Sequence, residues 1–137
     1  METYTNPWIF QNEEFESEKI EDNIGFVYLI TSRIDNRKYI GKKLFISKRT
    51  KSIKGVKKKV KLESDWKKYY GSNKELVEDV KTNGSENYDR KILHLCKTKG
   101  TANYLELKEQ ILHDDLTDRA FYNDWIMCKI HRSHIKI

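Results

Sequence analysis

A chain of 137 residues with 37% apolar side chains and a single proline holds one domain, with little room for a second. It has no run of 18 or more apolar residues, and its start, METYTNPWIF, lacks a basic stretch followed by an apolar core, so neither a membrane span nor a signal peptide is expected. Cys96 and Cys128 are too few to staple a fold of this size and read as reduced thiols of a cytoplasmic protein. The 27 basic and 21 acidic side chains are unevenly spread: residues 1–24 carry −6, residues 25–41 carry +2, residues 42–68 carry +10, and the rest balances. A segment this one-sided favours a polyanion, because each Lys or Arg placed on a phosphate releases condensed counterions. The same charge on a solvated lysine-rich loop is the competing reading.

In chain order, residues 1–24 mix acids with Tyr4, Trp8, Ile9, Phe10 and Phe15 and read as an acidic arm that packs late. GFVYLIT (25–31) and KYIG (38–41) are rich in β-branched and aromatic residues, and the Asp35-Asn36 pair between them tolerates positive φ, which predicts a hairpin. Residues 42–49 are expected to begin a helix, and KSIKGVKKKVKL, broken by Gly55, to form an exposed loop or ribbon. Ser72 with Glu75 three residues on makes a capping box for a helix over about 73–82, ended by Gly84. YDRKILHLC (88–96) reads as a strand, Thr101 as the cap of a helix through ANYLELKEQILHDDL, and 125–130 as a short closing strand. The order β-β-α-α-β-α-β predicts a small α/β or α+β domain with a sheet covered by helices.

Two constellations carry chemistry. With Leu105 at zero and about 100° per residue, Leu112, Leu116 and Glu109 fall within about 60° of one another, with Glu106 to one side. Glu109 thus lies on the apolar stripe, where a carboxylate needs either an ion pair or a metal, and Glu106 is its solvated neighbour. On the hairpin, Tyr28 and Tyr39 sit on paired strands beside Gly41-Lys42-Lys43 and Lys48-Arg49. Both phenols can simply pack; flanking cations would instead favour the ionised phenol as a proton acceptor. Cys128, His131 and His134, with His94 or Cys96, form a weaker candidate zinc set that lacks a second tight ligand pair.

Val27-Tyr28, then Tyr39-Ile40-Gly41, then Arg49 eight residues beyond that glycine, with Glu109 and Tyr122-Asn123 later, resembles the GIY-YIG nuclease family. GFVYLITSRIDNRKYIGKK, SDWKKYYGSNKEL and NYLELKEQI are similar to its small phage-encoded members, including relatives of free-standing homing endonucleases, and the likeness runs over about residues 25–130. Gly25 stands one position early, since the chain reads Gly25-Phe26-Val27-Tyr28, and the lysine-rich insertion from Thr50 to Glu63 leaves the alignment of Tyr69 and Tyr70 open.

The resemblance implies a three-stranded antiparallel sheet flanked by helices, a single divalent metal, Mg²⁺ or Mn²⁺, and hydrolysis of phosphodiesters in double-stranded DNA, with no membrane partner and a homing-type role among the options. Carried over by position, Tyr28 and Tyr39 are the motif tyrosines, either of which would take the water proton. Lys42 follows the motif glycine and would lower the phenol's pKa, Arg49 is the helix arginine on the scissile phosphate, Glu109 the metal ligand and Asn123 the late asparagine. Lys43, Lys48, Lys51, Lys54, Lys57, Lys58, Lys59, Lys61, Lys67 and Lys68 form the expected nucleic-acid surface. Because DNA is the implied substrate, the place of action is the cytoplasm of a bacterial or phage-infected cell. The alternative function is a non-catalytic nucleic-acid-binding module built on residues 42–68; a third, weaker option is a protein-interaction domain docking through the acidic arm.

Overall fold

The computed structural model describes residues 4–126 and 131–136, with residues 48–51, 53 and 58–61 described by their backbone alone. The organising element is β3 (Gly25–Ser32), buried along most of its length on both faces. It pairs antiparallel with β4 (Lys38–Leu44) on one side and with β7 (Tyr88–Cys96) on the other. A strand covered on both faces needs two cores, and the period-2 alternation supplies them. Phe26, Tyr28 and Ile30 enter an aromatic core with Trp8, Phe15, Phe45 and Trp66, while Val27 packs with Ile40, Cys96, Ala102 and Phe121.

The sheet has five strands, in the order β2-β1-β7-β3-β4, and so exceeds the three expected. The two extra strands come from the acidic segment: β1 (Ile9–Phe10) runs parallel to β7, with Ile9 opposite Lys91, and β2 (Glu13–Glu14) folds back on β1. Trp8 and Phe15 are fully buried, so the segment's aromatics roof the Phe26–Tyr28 face while its acids stay outside. Phe15 stacks on Phe45 at 5.6 Å and Phe45 meets Trp66 edge-on at 5.3 Å, geometries worth about 0.5–1.5 kcal/mol per pair beyond burial. Arg90, itself buried, pins the segment by donating to the carbonyls of Thr5, Asn6 and Tyr69.

The helix expected from residue 42 does not exist. β4 continues to Leu44, and after Phe45 the chain forms β5 (Ile46–Ile53) and β6 (Val56–Glu63), an antiparallel ribbon separate from the main sheet. Lys54 and Gly55, at φ of 51° and 79°, make the two-residue turn with both positions left-handed that matches ribbon twist. Alternating Val and Lys carries a strand's period, and that outweighed the helical reading of KKLFISKR.

The two helices form one residue or more from their expected starts. Asn73 rather than Ser72 caps α1 (Lys74–Asn83), accepting from the Leu76 N–H at 3.0 Å, and Leu76 and Val80 face the core. Glu75 pairs with Arg37 at 2.6 Å instead of closing a capping box. Thr98 rather than Thr101 caps α2 (Lys99–Leu112), which crosses β3 and β4. Past α2, Lys38 and Phe121 form a parallel bridge, and the Tyr122 N–H donates to the Lys38 carbonyl at 2.7 Å, so this segment seals the β4 edge. Residues 125–126 are not strand, and residues 127–130, with Cys128, lie outside the described residues.

Candidate active site

Tyr39, Lys42, Ser72, Lys74, Glu106 and Asn123 line one pocket, which Gln110, Asp124 and Trp125 complete. β4 supplies Tyr39 and Lys42, the start of α1 supplies Lys74, α2 supplies Glu106, and the sealing segment supplies Asn123. Asn73 ties two of these together: besides capping α1, its Nδ2 donates to the Tyr122 carbonyl at 2.8 Å.

The two motif tyrosines have different positions. Tyr39 is half-buried at the pocket wall, its hydroxyl 2.9 Å from Ser72 Oγ. Tyr28 is fully buried one layer behind it, ring centroids 6.1 Å apart, and its hydroxyl makes no hydrogen bond of good geometry among the described residues, the Tyr69 phenol being the polar neighbour that acts on it. Burial raises both phenols above their ordinary pKa, Tyr28 the more strongly, and the Ser72 hydrogen bond only partly offsets it at Tyr39. The lowering expected from Lys42 is not found at either phenol: Lys42 acts on Glu106, and desolvation sets the direction at both tyrosines. Gly41 explains itself here: a Cβ on it would lie 2.5 Å from Tyr28 Oη and 3.0 Å from Tyr39 Cε2. Only hydrogen lets the strand pass between the two rings.

Glu106 is not the solvated neighbour expected: both glutamates are largely buried, on different partners. Glu106 lines the pocket, its side chain 20% exposed and 3.7 Å from Lys42 Nζ, and desolvation raises its pKa against the opposing pull of Lys42. Glu109 turns elsewhere, accepting from His94 Nε2 at 2.8 Å with His113 Nδ1 at 3.5 Å. The wheel was set on Leu105, which packs against the second core, but it drew the stripe through Leu112 and Leu116, which are 67% and 48% exposed, the latter beyond the helix, and so left Glu106 outside it. The buried positions of α2 are Thr101, Ala102 and Gln110, and a wheel anchored on Ala102 and Gln110 aims Glu106 at the sheet.

Asn123 spends its amide on the backbone of Ile40, accepting from its N–H at 3.0 Å and donating to its carbonyl at 2.7 Å. It acts as a strand-like clamp holding the Tyr39–Gly41 stretch of β4 in the pocket wall. Arg49 lies on β5 opposite Val60 and not on a helix. Lys43 is engaged with Asp65 at 2.6 Å and lies over the Tyr69 ring, and Lys67 lies near the Tyr4 and Trp66 rings; the other expected DNA lysines from 48 to 61 belong to the ribbon. Ser72, Lys74 and Trp125 were missed by sequence reasoning; YGSNK before a capped helix was the available signal for the first two.

As a metal site the pocket offers the desolvated Glu106 carboxylate, with Lys42 3.7 Å away and the exposed Asp124 and neutral side-chain oxygens on the same lining. That fits a magnesium-like ion, which retains most of its waters and takes one or two protein carboxylates. Among the described residues no group of three or more His, Cys, Asp or Glu side chains is placed to hold a metal; of the candidate zinc set, Cys128 lies outside the described residues, the His94 ring is on Glu109, and Cys96 is buried with its thiol pushed up to about 11 by desolvation.

The family model described as "Putative endonuclease segE, GIY-YIG domain" matches residues 8–126. No curated protein and no solved structure matches the chain. The matched span takes in both motif tyrosines, the ribbon, both helices and the Asn123 clamp, and the chain belongs to this GIY-YIG domain family.

Proposed function

We propose that the protein is a metal-dependent DNA endonuclease whose reaction centre is the pocket between β4, the start of α1 and α2. The observation that carries the reading is the convergence of Tyr39, Lys42 and Glu106 in one pocket, held by Asn123, in a chain of the GIY-YIG family. Glu106, in place of Glu109, is the carboxylate that holds a divalent ion, Mg²⁺ or Mn²⁺. Such an ion, when bound, supplies positive charge to a phosphate oxygen and the leaving oxygen.

The chain's own groups do the rest. Lys42 and Lys74 face the phosphate and offset charge that develops on it, an effect worth about 3 kcal/mol for a well-placed donor. Tyr39, whose hydroxyl Ser72 engages, stands at the wall where a water proton has to go, whereas Tyr28 is screened behind it. Arg49 enters as a ribbon cation meeting the DNA backbone beside the pocket. Of the two carboxylates on the pocket lining, Glu106 is desolvated and Asp124 exposed, and the mechanism uses a single metal held by Glu106. A homing-type role and action inside a bacterial or phage-infected cell are the finer parts of the same proposal and rest on the family resemblance.

The test is cleavage of supercoiled plasmid with and without Mg²⁺ or Mn²⁺ by the wild-type protein, Glu106→Gln and Glu109→Gln. Expected are metal-dependent cleavage by the wild type, a loss of about 100-fold or more in Glu106→Gln, and rates within a few-fold of wild type in Glu109→Gln. The reverse ranking would return the metal to Glu109. Retention of DNA without cleavage under every metal condition would instead support the binding-module reading, for which the ribbon suffices.

A further inference from the structure

We infer that the β5–β6 ribbon is a double-stranded-DNA arm that lies in a groove of the duplex and supplies most of the protein's phosphate contacts; the inference rests on DNA being the substrate of the neighbouring pocket. Residues 46–63 hold eight basic side chains and one acid, Glu63. Glu63 sits at the root, where it accepts from the Trp66 indole at 2.7 Å and from Ser17, so the free length carries no negative charge. The register places Lys48 opposite Lys61 and Lys51 opposite Lys58. Like charges directly across a ladder destabilise it, and an isolated two-stranded ribbon is marginal in water.

Toward the tip, Ser52, Lys54, Gly55, Val56 and Lys57 are all exposed, Val56 at 56%; among the described residues the ribbon joins no other sheet, and its described apolar packing is at the root, where Ile46 meets the aromatic core. A ribbon assembled against its own repulsion is stabilised when a polyanion neutralises it. Alternation along the paired strands puts Lys48, Thr50, Ser52, Lys57, Lys59 and Lys61 on a single face, a mixture of cations and hydroxyls suited to phosphates and base edges.

The shape agrees with a duplex. Eight residues per strand make an arm about 27 Å long, and a two-stranded ribbon is among the few elements that the major groove of B-DNA admits. The deep, narrow major groove of duplex RNA excludes it. The arm is also rigidly rooted beside the pocket. Lys42 and Leu44 are on the strand that leads into it, Ser64 returns to Phe45 and Leu44 through bonds of 2.7 and 2.5 Å, and Phe45 and Trp66 bury the two ends. A duplex held by the arm is therefore held at a set position relative to Glu106.

The test compares wild type with Lys48→Gln/Lys57→Gln/Lys59→Gln/Lys61→Gln, which removes repulsion and leaves the backbone pairing intact, checked by circular dichroism. Binding to a 30-base-pair DNA duplex, to duplex RNA and to single-stranded DNA is measured from 50 to 200 mM salt with EDTA present. On duplex DNA, wild type is expected to show a steep slope of log affinity on log salt, and the variant a slope smaller by about 3, at roughly 0.9 per phosphate contact. A slope unchanged within one unit overturns the inference, as does an equal or larger change on duplex RNA or single strands. Wild-type plasmid cleavage is read separately: a slope change without cleavage leaves the arm standing and rejects the nuclease, and cleavage without a slope change does the opposite.

Discussion

Gly41 and Tyr28 are coupled through a single oxygen, and the coupling is measurable. The Tyr28 hydroxyl is buried and makes no hydrogen bond of good geometry among the described residues, a situation that costs about 1–3 kcal/mol. Tyr28→Phe is therefore expected to stabilise the protein by about 1 kcal/mol, about 3 °C in Tm for a chain of this size. In the wild type, Gly41→Ala would put Cβ 2.5 Å from Oη and 2.8 Å from Cζ, well inside the ~3.5 Å at which heavy atoms meet comfortably. The ring has nowhere to retreat, with Trp8, Phe26 and Tyr69 centroids at 5.1, 5.8 and 5.9 Å. Overpacking of this kind costs about 1–3 kcal/mol, of which the alanine's better strand propensity returns about 0.5–1. Removing Oη deletes the shortest clash, so Gly41→Ala in the Tyr28→Phe background should cost at least about 1 kcal/mol less than in the wild type. Urea denaturation of the four proteins, followed by tryptophan fluorescence, gives the cycle directly. A coupling under about 0.5 kcal/mol, or a loss of more than 1 kcal/mol in Tyr28→Phe alone, would refute the reasoning, the latter by revealing a hydrogen bond the hydroxyl makes.

Two further outcomes are expected. Burial raises the Glu106 carboxyl, so the folded protein takes up a proton at higher pH than an ordinary glutamate would. In the metal-free protein, NMR titration of the Glu106 carboxyl should place it above the usual carboxylate value of about 4.3, and Lys42→Ala should move it higher still by removing the cation that opposes burial. The same carboxyl favours folding most below its unfolded-state pKa and loses that contribution as pH rises through the raised value, so Glu106→Gln should flatten stability across that window; a titration at ordinary carboxylate pH, unmoved in Lys42→Ala, would reject the burial of this group. Arg90→Met removes four donated hydrogen bonds to the carbonyls of Thr5, Asn6 and Tyr69 and the cation's stacking on Trp8 and Tyr70. A loss of about 3 kcal/mol with protease cleavage appearing within residues 4–24 is expected, and a loss below 1 kcal/mol would show that the segment holds without it.

Local chemistry made part of the molecule legible in the sequence. Asp35-Asn36 set the β3–β4 hairpin, with Asn36 at φ 61°, and Gly84 ended α1, while its cap fell one residue past the expected Ser72, on Asn73, because turn and cap preferences act over a few residues. The spacing from Tyr28 to Tyr39-Ile40-Gly41 carried the family resemblance for the same reason: both tyrosines and the glycine belong to one hairpin. Other features depended on partners distant in the chain. Trp8 and Phe15 became core because β3 needed a second roof, which no pattern within residues 1–24 announces. That Glu106 lines the pocket while Glu109 pairs with His94 turned on which face of α2 met β4, and the exposed Leu112 and Leu116 concealed that face. The lysine-rich segment encoded strand periodicity and charge by itself, but its standing as a free ribbon beside the pocket followed from tertiary packing: Phe45 and Trp66 are buried at its root, while no element covers its described tip.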